Sequence, residues 1–262
     1  MNAMRNNTWG RLLILGVLLL ATSGCQKLKA RDQLNKGVQA YKAARYQVAI
    51  EYFKTAVELD PALLNARLYL ATAYANQYVP GAETEENLRM GEQAITEFQK
   101  VLDEEPNNVS SINGIANLYF QMKRMQEAKE FYKRQISLDP GNPEPYYSVG
   151  VIDWTQTYQP RMVLKSRLGL RPDEPFKKEE ERNELAERNL PLIEEGMQML
   201  NKAMELREDY DDAMAYLNLL YREKADVAET PEEREEYLKL ADMWIEKTME
   251  IKKVKAQQTR GG

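Results

Sequence analysis

The stretches that decide the fold are "ARYQVAIEYFKTAVELDP" (44–61), "GEQAITEFQKVLDEEP" (91–106) and "KRMQEAKEFYKRQISLDP" (123–140). In each stretch an alanine is followed four residues later by an aromatic residue and eight residues beyond that by proline. The three sets are Ala49–Phe53–Pro61, Ala94–Phe98–Pro106 and Ala128–Tyr132–Pro140. A spacing of four puts the alanine and the ring on one face of a helix, and the proline ends that helix. The pattern predicts three copies of one helical unit.

A second apolar helix lies between these stretches, as in "ARLYLATAYA" (66–75) and "INGIANLYFQ" (112–121). Pro106 and Pro140 are one period of 34 residues apart. The pattern resembles the helix–turn–helix unit of the tetratricopeptide repeat. The resemblance implies an all-α fold, a right-handed superhelical solenoid of about five units, in which units stack because none buries its apolar face alone.

Two later units keep the spacing but lose the aromatic residue and the proline, at Gly196–Leu200 and Ala241–Ile245. From Tyr74 to Ala94 and from Tyr221 to Ala241 the chain spans 20 residues, where the family pattern has nine. We therefore expect the second helices of these units to start early. Thr230 to Glu233 forms a capping box with proline at the first helical position, which predicts where the last helix begins.

The segment of about residues 155–190 interrupts the repeat pattern. Pro140 and Glu208 are 68 residues, or two periods, apart, which leaves a degenerate sixth repeat open. Polar residues at the core positions of that register favour a protruding helical insertion instead; they are Asn183, Glu184 and Glu187. We expect Pro191, with Asn189 as a cap, to restart the repeat helix.

The N-terminal stretch "LLLATSGCQKLK" (18–29) contains the only cysteine, Cys25. Arg5 and Arg11 precede an apolar run too short to cross a membrane as a helix, which is typical of a signal peptide. Residues 22–25 resemble a bacterial lipobox, although Thr22 stands where leucine is usual. The resemblance implies a signal peptide over 1–24, a lipid on Cys25 and a repeat domain over 25–262. An incidental cysteine after an ordinary signal peptide is the alternative.

The same resemblance predicts where the protein is found. Gln26 follows the lipobox cysteine, which implies sorting to the outer membrane, facing the periplasm. The net charge of −5 offers no general attraction to nucleic acid, and a single cysteine forms no internal disulfide.

Composition argues against catalysis. The chain has no histidine, no glycine-rich phosphate loop and no calcium-loop pattern. Its adjacent acids point in different directions on a helix. We therefore expect no enzyme, no cofactor and no metal. The alternative of a different class is an enzyme that acts on envelope polymers with carboxylates.

Binding of a protein or peptide is the function that the resemblance implies. In this family the first helices line a concave groove, and that register predicts a partner-binding set of Tyr41, Asn65, Asn113, Asn117, Phe120, Tyr147, Val151 and Trp154. Asparagine amides hydrogen-bond to an extended peptide, and aromatic residues are common in binding hot spots. The plainer alternative is that the asparagines are merely exposed and Trp154 packs under the insertion.

The insertion carries a second candidate contact set, in "QPRMVLKSRLGLRP" (159–172), which has four basic residues and no acid. Arg161, Lys165 and Arg167 would touch anionic headgroups or an acidic partner, unless the two arms of the insertion pair with each other. The sequence thus predicts a lipid-anchored envelope scaffold. A homo-oligomer joined through its terminal helices, for instance at Trp244, is the structural alternative.

Overall fold

A computed structural model describes the backbone of residues 7–260 and the side chains of residues 24–258. The described residues form ten helices and no strand. The helices are α1 (Asn7–Lys42), α2 (Tyr46–Leu59), α3 (Leu64–Ala75), α4 (Glu85–Glu104), α5 (Val109–Gln121), α6 (Met125–Leu138), α7 (Pro143–Arg167), α8 (Glu179–Leu206), α9 (Asp211–Asp226) and α10 (Pro231–Arg260).

The helices belong to two compact units that divide after Arg124. In the first unit each of α1 to α4 packs on the next helix, and α3 also touches both α1 and α5. In the second unit each of α6 to α9 packs on the next helix, and α7 also touches α9. Each unit is therefore a series of helical hairpins in which alternate helices form one layer.

The repeated alanines and rings form the core, as predicted. Ala49, Ala94 and Ala128 have no exposed surface, and the aromatic residues that follow them are buried. A methyl group on Gly114 would lie 2.5 Å from the ring of Phe98. The ring therefore fills the space that a side chain on α5 would need, which is the close packing expected of a protein interior.

The early starts of two second helices are confirmed. Helix α4 begins at Glu85, where the Thr84 side chain accepts a hydrogen bond from the backbone of Asn87. Helix α10 begins at Pro231. The predicted capping box is present, because the Thr230 hydroxyl accepts from the Glu233 amide at 3.1 Å and the Glu233 carboxylate accepts from the Thr230 amide at 3.2 Å.

Residues 155–190 form the C-terminal part of α7, the N-terminal part of α8 and the loop between them. They therefore make no separate repeat. The expectation that Pro191 restarts a helix is wrong, because α8 runs through it. Pro191 is exposed, so the backbone hydrogen bond that its ring removes is missing only on the solvent side. Asn189 caps nothing: it is fully buried, and its Nδ2 donates to the Thr157 carbonyl at 3.0 Å.

The predicted signal peptide falls largely outside what the structure describes, since Arg5 lies before residue 7 and side chains are described only from residue 24. Cys25 is exposed within α1. Within the described part of the chain, no helix combines the length and the apolar character needed to cross a bilayer. The signal peptide and the lipid on Cys25 remain predictions.

Candidate functional site

Five rings form a continuous row along α7 and the start of α9, here called the aromatic row. In order they are Tyr210, Tyr147, Tyr216, Trp154 and Tyr158, and their successive ring centroids are 5.1, 5.7, 5.3 and 5.1 Å apart. These are the separations of tilted and edge-to-face aromatic pairs. The three α7 residues are seven and four positions apart, so they share one face of that helix.

The aromatic row is half-buried rather than enclosed. Tyr147, Trp154, Tyr158 and Tyr216 each keep part of their surface exposed, whereas Tyr210 is buried. Burial raises the pKa of the Tyr147 hydroxyl, and the neighbouring Tyr216 and Asp212 raise it further. Burial and Asp212 likewise raise the pKa of Tyr216. Both hydroxyls therefore stay neutral and can donate or accept a hydrogen bond.

One end of the row is fixed by a charged group. The Tyr210 hydroxyl donates to one Glu144 oxygen at 2.7 Å, and the Arg207 guanidinium donates to the other at 2.7 Å. Although burial raises the pKa of Glu144, these two hydrogen bonds outweigh it and hold that pKa below its ordinary value. The carboxylate thus stays charged and orients the Tyr210 ring.

The aromatic row contains two of the three groove residues predicted for this unit, Tyr147 and Trp154. The third, Val151, is 6% exposed and belongs to the core. Sequence reasoning missed Tyr158, Tyr210 and Tyr216. The only signal in the sequence was the presence of three tyrosines within residues 210–221. Their pairing with α7 depends on the packing of helices that are distant in sequence.

Five of the predicted groove residues belong to the first unit. Tyr41 is half-buried; its hydroxyl accepts a hydrogen bond from Asn76, and its ring packs edge-on against Tyr46. The others lie at the surface to different degrees: Asn65 and Asn117 are exposed, and Asn113 and Phe120 are half-buried. They remain predicted contacts.

A buried group of four charges, here called the charged cluster, joins α7 to α9. Arg161 Nε lies 2.8 Å from a Glu223 oxygen, and Arg161 Nη1 lies 2.8 Å from Asp226 Oδ2. Lys165 Nζ lies 2.6 Å from the same Asp226 oxygen and donates to the carbonyls of Pro172 and Glu174, each at 2.8 Å. The cluster therefore fixes both the C-terminal half of α7 and the loop that follows it.

Burial dominates the chemistry of the charged cluster. It raises the pKa of Glu223 to about 7 against the opposing effect of Arg161, and it lowers the pKa of Lys165 against that of Asp226. Lys165 has no exposed surface and Arg161 is 8% exposed. The structure thus revises the expectation that these two residues contact a partner, whereas Arg167 is exposed and remains a candidate.

Two ion pairs of one buried lysine join α6 to α7 and α8. Lys129 donates to Asp153 and, at 2.7 Å, to Glu195. Burial raises the pKa of Asp153 to about 6. Among the side chains that the structure describes, no group of three or more histidine, cysteine, aspartate or glutamate residues is placed to hold a metal ion.

Two sequence profiles, both described as tetratricopeptide repeat, match residues 34–86 and 90–149. Both segments are similar to the tetratricopeptide repeat. No curated protein matches the chain significantly. The tetratricopeptide-repeat assignment agrees with the helical hairpins of both units.

Solved structures show the same fold. MamA 41-end from Desulfovibrio magneticus RS-1 is 17% identical, with a TM-score of 0.59 over 86% of this chain and 96% of that one. A crystal structure of MamA protein is 15% identical, with a TM-score of 0.55 over 85% and 94%. YrrB, described as a TPR protein with an unusual peptide-binding site, is 15% identical, with a TM-score of 0.52 over 84% and 90%. The predicted fold class, an all-α tetratricopeptide-repeat solenoid, is confirmed.

Proposed function

We propose that this protein is a scaffold or adaptor that binds a protein or peptide partner through the aromatic row. The observation that carries the proposal is the row itself, in which four of five contiguous rings remain partly exposed. Tyrosine and tryptophan dominate binding hot spots because they offer a large rigid surface with a polar edge. The tetratricopeptide-repeat fold, and the peptide-binding site attributed to YrrB, support this class of function.

The dimensions of the aromatic row suit a short extended segment. A path through the five ring centroids measures at most about 21 Å, which corresponds to about six residues of extended chain. Apolar side chains of the partner would pack on the exposed ring faces. The neutral hydroxyls of Tyr147 and Tyr216 would hydrogen-bond to its backbone.

The proposal includes an anchor and a location. Cys25, the only cysteine, would carry acyl chains that hold the protein at the outer membrane, facing the periplasm. The lipobox-like residues 22–25 and the exposure of Cys25 support this. With an alkyne fatty acid fed to expressing bacteria, the wild-type protein should become labelled and Cys25→Ser should not; equal labelling of both would contradict the anchor.

We infer no catalytic role for the acids with strongly raised pKa values. Asp153 and Glu223 have 0% and 1% exposed surface, and each contacts a lysine or an arginine. They act instead as internal partners of cations.

The test of the binding proposal is photo-crosslinking in cells. A photoreactive phenylalanine analogue at Tyr158 should give a discrete protein adduct, and the same analogue at Gln198, an exposed residue of α8, should not. Trp154→Ala and Tyr216→Ala should each remove the adduct, while Tyr52→Ala, a half-buried tyrosine of the first unit, should leave it. No adduct at Tyr158, or equal adducts at both sites, would overturn the proposal.

Self-association is a second candidate function, favoured by the last helix. Four large apolar side chains of α10 are exposed, Met243, Ile245, Met249 and Val254, with exposed fractions of 46%, 39%, 63% and 44%. Trp244 itself is half-buried against the core. Sedimentation over a hundredfold concentration range separates the candidates: a self-associating scaffold would dimerise, and Met249→Lys would prevent it.

A further inference from the structure

A cleft of about 180 Å³ opens between the C-terminal half of α7 and the N-terminal half of α8. None of the residues that line it belongs to the aromatic row. It is lined by Pro160, Val163, Leu164 and Arg167 of α7 and by Glu184, Leu185 and Arg188 of α8. Leu164 and Leu185 form a buried apolar floor, whereas Val163 at the rim is 66% exposed. A valine so exposed beside an apolar floor suits a contact with another apolar side chain.

The two arginines stand at opposite ends of this cleft. Helices α7 and α8 form a hairpin, and the hydrogen bond from Asn189 to the Thr157 carbonyl sets their register. Arg188 of α8 therefore lies near the end of the cleft that Pro160 lines. Arg167 follows Pro160 by seven residues on α7, which corresponds to about 10 Å along the helix axis.

Arg167 and Arg188 are both exposed, and neither forms an ion pair with any side chain between residues 24 and 258. Nearby cations are paired, as Lys178 is with Glu181 and Arg182 with Glu179. The cleft thus presents two cations without an ion pair and a single acid, Glu184.

The walls of the cleft are held rigidly. On the far side of α7, Arg161 and Lys165 are bound to Asp226, and Lys165 also binds two carbonyls of the loop. Arg234 of α10 donates to the Asp173 carbonyl at 2.9 Å and holds the same loop. A preformed site loses little conformational entropy when a ligand binds.

We propose that this cleft docks a short acidic segment of a partner protein. An apolar side chain of the segment rests on Leu164 and Leu185, and one carboxylate on each side of it pairs with Arg167 or Arg188. In an extended chain, residues four positions apart share one face and lie about 13 Å apart, which long arginine side chains can span. An anionic membrane fits less well, because a flat bilayer would face all the exposed acids of α8, whereas a short segment in the cleft meets only Glu184. The exposed acids of α8 near the cleft are Glu179, Glu180, Glu184 and Glu187.

The experiment uses the full chain and a fluorescent eight-residue peptide that carries two aspartates four positions apart with a leucine midway between them, so that all three side chains share one face of an extended chain. Fluorescence anisotropy should show saturable binding, and the peptide with asparagines in place of the aspartates should bind more weakly. Arg167→Gln and Arg188→Gln should each weaken binding about fivefold, since an exposed ion pair contributes up to about 1 kcal/mol. Lys253→Gln, at an exposed site on α10, should leave it unchanged.

Glu184 provides a test of opposite sign. It is the one acid that lines the cleft, so Glu184→Gln should strengthen peptide binding about twofold as its repulsion is removed. Trp154→Ala should not change binding of this peptide, which separates the cleft from the aromatic row. The proposal is overturned by no saturable binding, by equal loss in Lys253→Gln, or by Arg167-dependent binding to phosphatidylglycerol vesicles without binding to the peptide.

Discussion

Arg161 Nη1 lies 2.8 Å from Asp226 Oδ2, and both side chains are buried although 65 residues separate them in sequence. Lys165 shares that oxygen at 2.6 Å. One aspartate therefore balances two cations inside the second unit. The long α7–α8 hairpin depends on this balance, because the same lysine holds the loop at its tip.

Asp226→Asn should be strongly destabilising. It leaves Arg161 and Lys165 buried with one carboxylate fewer, and breaking a buried ion pair costs about 3 kcal/mol or more. Urea unfolding followed by circular dichroism measures the loss. Asp242→Asn is the matched control, since Asp242 pairs with Arg222 at 2.8 Å at the surface and should cost less than about 1 kcal/mol. Equal losses would mean that the cluster contributes no more than a surface pair.

Glu223 should make stability fall as pH rises. Its folded-state pKa of about 7 exceeds the ordinary value of 4.5 because burial disfavours the carboxylate and the nearby Asp226 raises the pKa further, against the opposing effects of Arg161 and Lys165. The stability from protonated Glu223 is thus fully present below about pH 4.5 and is lost as pH rises through about 7.

The variant Glu223→Gln isolates this contribution because its side chain stays neutral. Between pH 5 and pH 8 the wild-type protein should lose up to about 3 kcal/mol more than the variant, as measured by urea unfolding at both values. Asp153, whose pKa burial raises to about 6, changes both proteins alike. Identical pH profiles would show that Glu223 is already charged at pH 5.

Gly150→Ala should destabilise the second unit. A methyl group on Gly150 would lie 2.5 Å from Leu200 Cγ and 3.2 Å from the Gly196 carbonyl, so the backbone limits relief. Overpacking costs about 1–3 kcal/mol, which exceeds the gain of about 1 kcal/mol in helix propensity. Thermal unfolding of Gly150→Ala, Leu200→Ala and the double variant measures the coupling; additive effects would contradict the proposed clash.

Thr230→Ala should remove the cap of α10. The Thr230 hydroxyl accepts from the Glu233 amide at 3.1 Å, and loss of such a cap costs about 1 kcal/mol. Thr96→Ala is the control, because the Thr96 hydroxyl only donates to a carbonyl of its own helix. That change should be neutral or slightly stabilising. The urea midpoints of the two variants decide between these outcomes, and no difference between them would refute the cap.

Local patterns predicted the repeats well. The spacing from Ala128 to Tyr132 to Pro140 fixes a helix, its buried face and its end within one short stretch, and the structure has all three. The same reasoning failed at Pro191, because the rule that proline starts a helix ignores an exposed position where a kink is tolerated. Two of the five rings, Tyr147 and Trp154, were predicted from the sequence of α7, whereas Tyr216 joins the aromatic row only through the packing of α9.

The sequence by itself determined the helical repeats, their small and aromatic core positions and the cap at Thr230, because each depends on residues within one or two helical turns of each other. Only the tertiary structure decided that Arg161 and Lys165 are internal and that Arg167 and Arg188 face solvent unpaired. On α7 alone the basic residues look alike. The acids Glu223 and Asp226, which neutralise two of them, lie on another helix, and burial and charge pairing are properties of that packing.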